Sequence, residues 1–189
     1  MKFVKKLGMQ FDKERGLPFL LSGIVIIIDQ ITKAIIATKW PIPEGHRYVF
    51  ITDVFNNGFF QIIHVRNPAI AFSLGSGIPD SIKPITFIVL PILVLCLLLW
   101  YYLSSNDFTR LQRWAVAGIL GGGIGNIIDR IFRPDGVVDF IDVRFFDFIF
   151  ASGRWPTFNV ADSSVVVCCL LLFVTIIFSG NNTKKEKAK

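Results

Sequence analysis

Four long apolar stretches limit what this chain can become: Leu17–Trp40, Pro84–Leu103, Trp114–Phe132, and a last one ending at Phe178. A helix needs about 20 apolar residues to cross the roughly 30 Å hydrocarbon core of a bilayer, and the first three runs have about that length as they stand. The last run is uninterrupted only from Val165 to Phe178, so its helix must start near Phe158, which puts Asn159 and Asp162 in its first turns. Composition agrees, since 52% hydrophobic residues, a mean hydropathy of +0.57 and 19 phenylalanines are high for a soluble domain of 189 residues. The expected fold is an α-helical polytopic membrane protein, one membrane domain over 1–189, with spans at about 17–40, 84–103, 114–132 and 158–178.

Between the first two spans, residues 41–83 turn to Gly, Pro, Asn and isolated charges, with alternating stretches such as YVFITDVF and FFQIIHVRN. They read as strands of a small extracytoplasmic β unit. Pro91 is expected to kink the second span. Ser104–Arg113 reads as a short turn carrying Arg110 and Arg113, and 133–157 as a second extracytoplasmic loop rich in aspartate and phenylalanine. A cleaved signal peptide is the rival reading of the first span, but the DQITK segment inside it and the lack of a small-residue cleavage site favour a permanent helix.

Residues Met1–Arg15 carry five Lys or Arg against two acids, and the tail at 180–189 is also basic. The positive-inside rule then puts both termini in the cytoplasm and both long loops outside. The net charge of +6 collects beside apolar runs, where it sets orientation against anionic lipid, so nucleic acid is not an expected partner. Cys96, Cys168 and Cys169 lie in apolar runs without metal-ligand spacing, and His46 and His64 lack an accompanying acidic or cysteine pattern. Neither a metal nor a cofactor is expected.

The third span ends in GILGGGIGNIIDR. On a helix Gly118, Gly122, Gly125 and Asp129 fall at i, i+4, i+7 and i+11, so the carboxylate continues a glycine stripe along which another helix approaches closely. An unpaired charge at mid-bilayer costs roughly 2.5 to 3.5 kcal/mol on insertion scales, so such residues are usually paired or functional. The topology sets Asp29 and Lys33, Asn126, Asp129 and Arg130, and Asn159 and Asp162 at one depth near the outer surface, where the loops add Asn67 and Asp139. A single site is expected there.

Each residue also has a plainer reading. Asp29 and Lys33 suit an intrahelical i, i+4 pair as well as a site, and Asp129 with Arg130 reads first as an anchor snorkelling at the helix end. Asn159 or Asp162 would serve as a helix cap, and Asp139 alone reads as a turn or strand-edge carboxylate. Intramembrane charges also mark proton-coupled transporters, but the inner halves of the expected spans carry no ionisable groups. A scaffold whose polar groups only hold helices together is the non-catalytic alternative.

DQITK, NPAIAFS, GGGIGNIIDR, VVDFID and FNVADSS, in that order and on four spans, resemble the blocks of the lipoprotein signal peptidases, the type II signal peptidases of bacterial inner membranes. The resemblance covers about Leu17 to Phe178. It implies a catalytic aspartate pair, Asp139 and Asp162, surrounded by Asp29, Lys33, Asn67, Gly122, Asn126, Asp129, Arg130, Asn159 and Ala161. It also implies a diacylglyceryl-modified prolipoprotein substrate cut before its lipidated cysteine, a location among membrane lipids, and inhibition by the cyclic peptide globomycin. A monomer is expected. One block departs from the family pattern, with Ala69 where a glycine is usual. The loop before Asp162 carries Phe145, Phe146, Phe148, Phe150 and Trp155, a set suited to cover a cleft or lie on lipid.

Hydrolysis by such a pair needs no metal. Like-charge repulsion between two close carboxylates raises one pKa, so the pair holds one proton and supplies both a base and an acid. The proton belongs to the pair, and the sequence does not assign the two roles.

Overall fold

A computed structural model of the chain describes residues 12–68, 79, 81–144 and 153–186. A short helix α1 (Lys13–Gly16) leads into α2 (Phe19–Lys39), and a hairpin of β1 (Tyr48–Asp53) and β2 (Phe60–Asn67) follows. A π-helical turn at Ile85–Val89 opens α3 (Leu90–Ser104), and then come α4 (Arg110–Phe132), β3 (Val137–Val143) and α5 (Val160–Glu186). Four helical stretches, Lys13–Lys39, Ile85–Ser104, Arg110–Phe132 and Val160–Phe178, are long and apolar enough to cross a membrane. With the small antiparallel sheet they make the expected fold class.

The most buried of the four is α4, and glycine puts it there. Lipid tails are as apolar as leucine, so helices in a membrane gain most from close backbone packing. A Cβ on Gly118 would strike Cys168, and one on Gly122 would strike the Ala161 carbonyl and Val165, so the expected glycine stripe receives α5. Off the stripe, a Cβ on Gly121 would lie 2.8 Å from the Ser22 backbone of α2, and one on Gly123 2.8 Å from Leu95 of α3. Two hydroxyls reinforce these seams, Ser22 Oγ donating to the Ala117 carbonyl at 2.6 Å and Ser164 Oγ to the Gly118 carbonyl at 2.9 Å. The outer faces of α2, α3 and α5 expose Ile, Leu, Val and Phe, the side chains a lipid environment covers.

Three expectations gain detail or change. At Pro91 the distortion takes the form of a π turn just before the proline, with the Leu90 N–H bonding to the Ile85 carbonyl, and Pro91 sits in the first turn of α3. Arg110 and Arg113 belong to α4 and not to a turn. The helix starts earlier because Thr109 and Gln112 close a capping box, and Arg113 is buried. An ionisable group therefore does lie inside the bundle at the end away from the sheet. Third, VVDFIDV is a strand and not a loop, pairing antiparallel with β2 to give the order β1-β2-β3.

The sheet rests on the end of α2. Val138 and Phe140 pack on Ile36, and the His64 ring donates from Nδ1 to the Trp40 carbonyl at 2.7 Å. Gly136, at φ +106, turns the chain from α4 into β3 so close to Asn67 that a Cβ would lie 2.5 Å from the Asn67 carbonyl oxygen. At the far end of β3, Phe158 bridges Ile141, its N–H reaching the Ile141 carbonyl at 3.0 Å. This bridge sets the start of α5 against the strand.

Candidate active site

Phe158 is followed by the cap of α5. Asn159 Oδ1 accepts the Asp162 N–H at 2.9 Å and Asp162 Oδ2 accepts the Asn159 N–H at 3.1 Å, a reciprocal capping box. Capping leaves the Asn159 amide nitrogen free to reach the sheet, where it donates to Asp139 Oδ1 at 2.7 Å. Asn67, on the neighbouring strand, donates to Asp139 Oδ2 at 2.9 Å. The register explains this meeting: Asn67 pairs with Val137 and Val65 with Asp139, so the two polar side chains stand two residues apart across one ladder.

Behind this pair lies a charged cluster between α2 and α4. Lys33 Nζ sits 2.8 Å from Asp29 Oδ2, 2.9 Å from Asn126 Oδ1 and 3.5 Å from Asp129 Oδ2, and all three charged side chains are fully buried. The i, i+4 pair and the site are thus the same structure. Asp129 does not snorkel, because it also accepts the Val138 N–H at 3.0 Å next to Asp139. Asp29 Oδ1 accepts the Ala161 N–H at 2.9 Å, and Asn126 Nδ2 donates to Asp162 Oδ1 at 2.7 Å. Gly122 and Gly125 make the room, since a Cβ on Gly125 would lie 2.8 Å from Asp29 Oδ2. Arg130 stands over the Phe87 ring at 5.2 Å, and the charges of Asp139, Asp162 and Asp129 act on it.

All eleven residues singled out in the sequence fall within one connected region. Two members were missed. Gln30 Nε2 lies 3.1 Å from Asp29 Oδ2, 3.0 Å from Asp129 Oδ1 and 3.0 Å from the Gly125 carbonyl, and its oxygen accepts from Arg133 at 3.0 Å. Arg133 also pairs with Asp129. The Asp129–Arg133 spacing of i, i+4 was the available signal, hidden because the apolar run ends at Phe132. Ala69 and Phe145, Phe146, Phe148 and Phe150 lie outside the described residues. Trp155 is described, and its N–H donates to the Val143 carbonyl at 2.8 Å.

Burial, and next the Asp162 carboxylate beside it, push the Asp139 carboxyl up to about 7. The arrangement therefore offers two carboxylates, one of them proton-bearing near neutral pH, in a frame of amides that fixes their direction. Among the described residues no group of three or more His, Cys, Asp or Glu is arranged to hold a metal ion.

Comparison with known proteins turns this geometry into a family assignment. The family model for signal peptidase (SPase) II matches residues 21–178. The chain belongs to the signal peptidase II family. It is 48% identical to the lipoprotein signal peptidase of Treponema denticola over 158 residues, covering 84% of this chain and 87% of that protein. The lipoprotein signal peptidase of Treponema pallidum is 38% identical over 157 residues, covering 83% and 81%. A solved bacterial membrane enzyme, determined in meso at 2.3 Å resolution, superposes with a TM-score of 0.72 at 29% identity, covering 88% of this chain and 91% of its own. Membership of this family makes the chain a bacterial membrane protease that processes lipoproteins.

Proposed function

We propose that the chain is an intramembrane aspartic endopeptidase that removes the signal peptide from diacylglyceryl-modified prolipoproteins, cutting before the lipidated cysteine. The observation that carries this reading is the shared frame of Asp139 and Asp162, joined by Asn159, which bonds to both. A water held between the carboxylates loses a proton to one of them and attacks the scissile carbonyl. The proton on the other passes to the leaving amine, so the pair again holds one proton, now on the former base, and its return to the other carboxylate restores the starting state. Asn67, Asn126 and Asn159 keep the carboxylates aimed, the Asp29–Lys33–Asp129 cluster holds α2 to α4, and Arg130 offers positive charge beside both aspartates. Gly122 and Ala161 allow the approach of α4 and α5.

The basic segments support an orientation with both termini and the 180–189 tail in the cytoplasm of a bacterial inner membrane, with 41–83 and 133–157 outside. Within the single domain 1–189 the site then faces the outer leaflet, where the lipid chains of the substrate stay in the bilayer while its peptide reaches the aspartates. The enzyme works as a monomer, and a globomycin-type cyclic peptide competes for the same cleft.

The test is cleavage of a diacylglyceryl-modified prolipoprotein in detergent by the wild type, Asp139→Asn and Asp162→Asn, with circular dichroism to verify folding. Release of the signal peptide by the wild type and by neither folded variant is the expected result. Full activity in either variant removes that aspartate from the mechanism.

A further inference from the structure

One of the donors that hold Asp162 comes from Asn126. Lys33 is fully buried, and an ammonium group has three donors and no acceptor. Its contact to Asn126 Oδ1 at 2.9 Å, joined by the Asn159 amide nitrogen at 3.2 Å, surrounds that oxygen with donors. Turning the Asn126 amide over would set its NH2 against an ammonium and another NH2. The amide therefore has one allowed orientation, and Nδ2 is forced towards Asp162 Oδ1, at 2.7 Å.

We infer that Lys33 is a positioning residue that acts through Asn126, locking this amide so that Asp162 Oδ1 always meets a donor and the carboxylate is held in one direction for the reaction. The inference rests on the reading of Asp139 and Asp162 as the catalytic pair. The other partner of Asp162 has the same sense: its second oxygen takes the Asn159 backbone N–H at the first turn of α5, where the helix dipole favours negative charge. The charged groups around Asp162 are Lys33 and Asp29 from α2, Arg130 from α4 and Asp139 from β3. Among the described residues Asp139 accepts from the side-chain amides of Asn67 and Asn159, and the charged groups around it are Lys33, Arg130 and Asp162.

The experiment compares steady-state cleavage of the prolipoprotein by the wild type, Lys33→Met, Asn126→Leu, the double variant and Asn126→Asp, each with circular dichroism. Lys33→Met and Asn126→Leu are expected to lower kcat on the order of 100-fold with KM within about twofold of wild type, as for a misdirected reacting group. The double variant is expected to be no slower than the slower single one, because both changes break one chain of contacts. Multiplying effects would overturn the inference, as would a folded Lys33→Met with wild-type kcat. Lys33→Met leaves Asp29 without its ammonium partner, while Asp129 keeps Arg133, and the variant is at risk of misfolding, so Asn126→Asp carries the test independently. It keeps an acceptor for Lys33 and Asn159 and sets a carboxyl in place of the donor facing Asp162. Loss of kcat on the same scale with the fold intact supports the lock, and wild-type kcat overturns it. A wild type that fails to cut the substrate overturns the peptidase reading itself, whereas a cutting wild type with unaffected variants overturns only the lock.

Discussion

The Asn159 side chain donates to Asp139 Oδ1 at 2.7 Å while its own oxygen caps the helix that carries Asp162. One residue thus ties the strand carboxylate to the helix carboxylate. Each half of this link has a separate consequence, and two substitutions separate them.

Asn159→Ala removes both halves. Loss of the cap is expected to cost about 1 kcal/mol, seen as a lower thermal midpoint, and turnover falls with it. Asn159→Asp keeps a good cap but sets a third carboxylate against Asp139. Its midpoint should lie above that of Asn159→Ala, with turnover lost. Wild-type turnover in Asn159→Asp would show that the bond to Asp139 has no part in the reaction.

Asp139 also makes stability depend on pH. Its folded value of about 7 stands above the ordinary 3.8, so the folded state holds the proton more tightly than the unfolded chain does. The resulting stability is complete below about pH 4 and is lost as pH rises towards 7. Asp139→Asn abolishes this term, whatever constant offset it introduces by losing one acceptor. The difference in thermal midpoint between variant and wild type, measured in detergent, should therefore move in favour of the variant from pH 5 to pH 8. A constant difference would show that Asp139 does not titrate in that window.

Gly122→Ala tests the approach of α4 to α5. The new Cβ meets the Ala161 carbonyl oxygen, which is backbone and cannot swing away, and Val165 Cγ2 at 2.8 Å. The helices must part, drawing the Ala161 N–H from Asp29 and Asp162 from Asn126. A loss of about 1 to 3 kcal/mol together with reduced kcat is expected. Gly23→Ala is the control, because nothing lies within 4 Å of its Cβ, and it should leave melting and cleavage as they are.

Much of this region could be read in the sequence because an apolar span makes every polar residue stand out, and because the topology gave Asp29, Asn126 and Asp162 one depth. The strand could not be read in the same way. Val137–Val143 is buried at almost every position, with Val138 and Phe140 on Ile36 and Asp139 on the asparagines, so the alternation that betrays a half-exposed strand is missing. Hydropathy likewise hid Arg113. It ends the apolar run, although the Thr109-x-x-Gln112 pattern that starts the helix three residues earlier was present in the chain. Gln30 is an uncharged neighbour of Asp29, and only the three-dimensional approach of α2 to α4 reveals that it bridges two aspartates.

At the bundle end remote from the sheet, fully buried Tyr102 donates its hydroxyl to the Arg15 carbonyl at 2.7 Å, with Arg113 over its ring at 5.6 Å and Phe19 edge-on at 5.4 Å. These contacts join α1, α2, α3 and α4 far from Asp139 and Asp162. Tyr102→Phe keeps the ring contacts and removes only the hydroxyl, leaving the Arg15 carbonyl without this donor. The expected cost is about 1 kcal/mol, visible as a lower midpoint in detergent, with kcat and KM for the prolipoprotein unchanged. A folded Tyr102→Phe with reduced kcat would mean that this aromatic knot controls how α4 presents Asn126 and Asp129 to the site, coupling the two ends of the bundle.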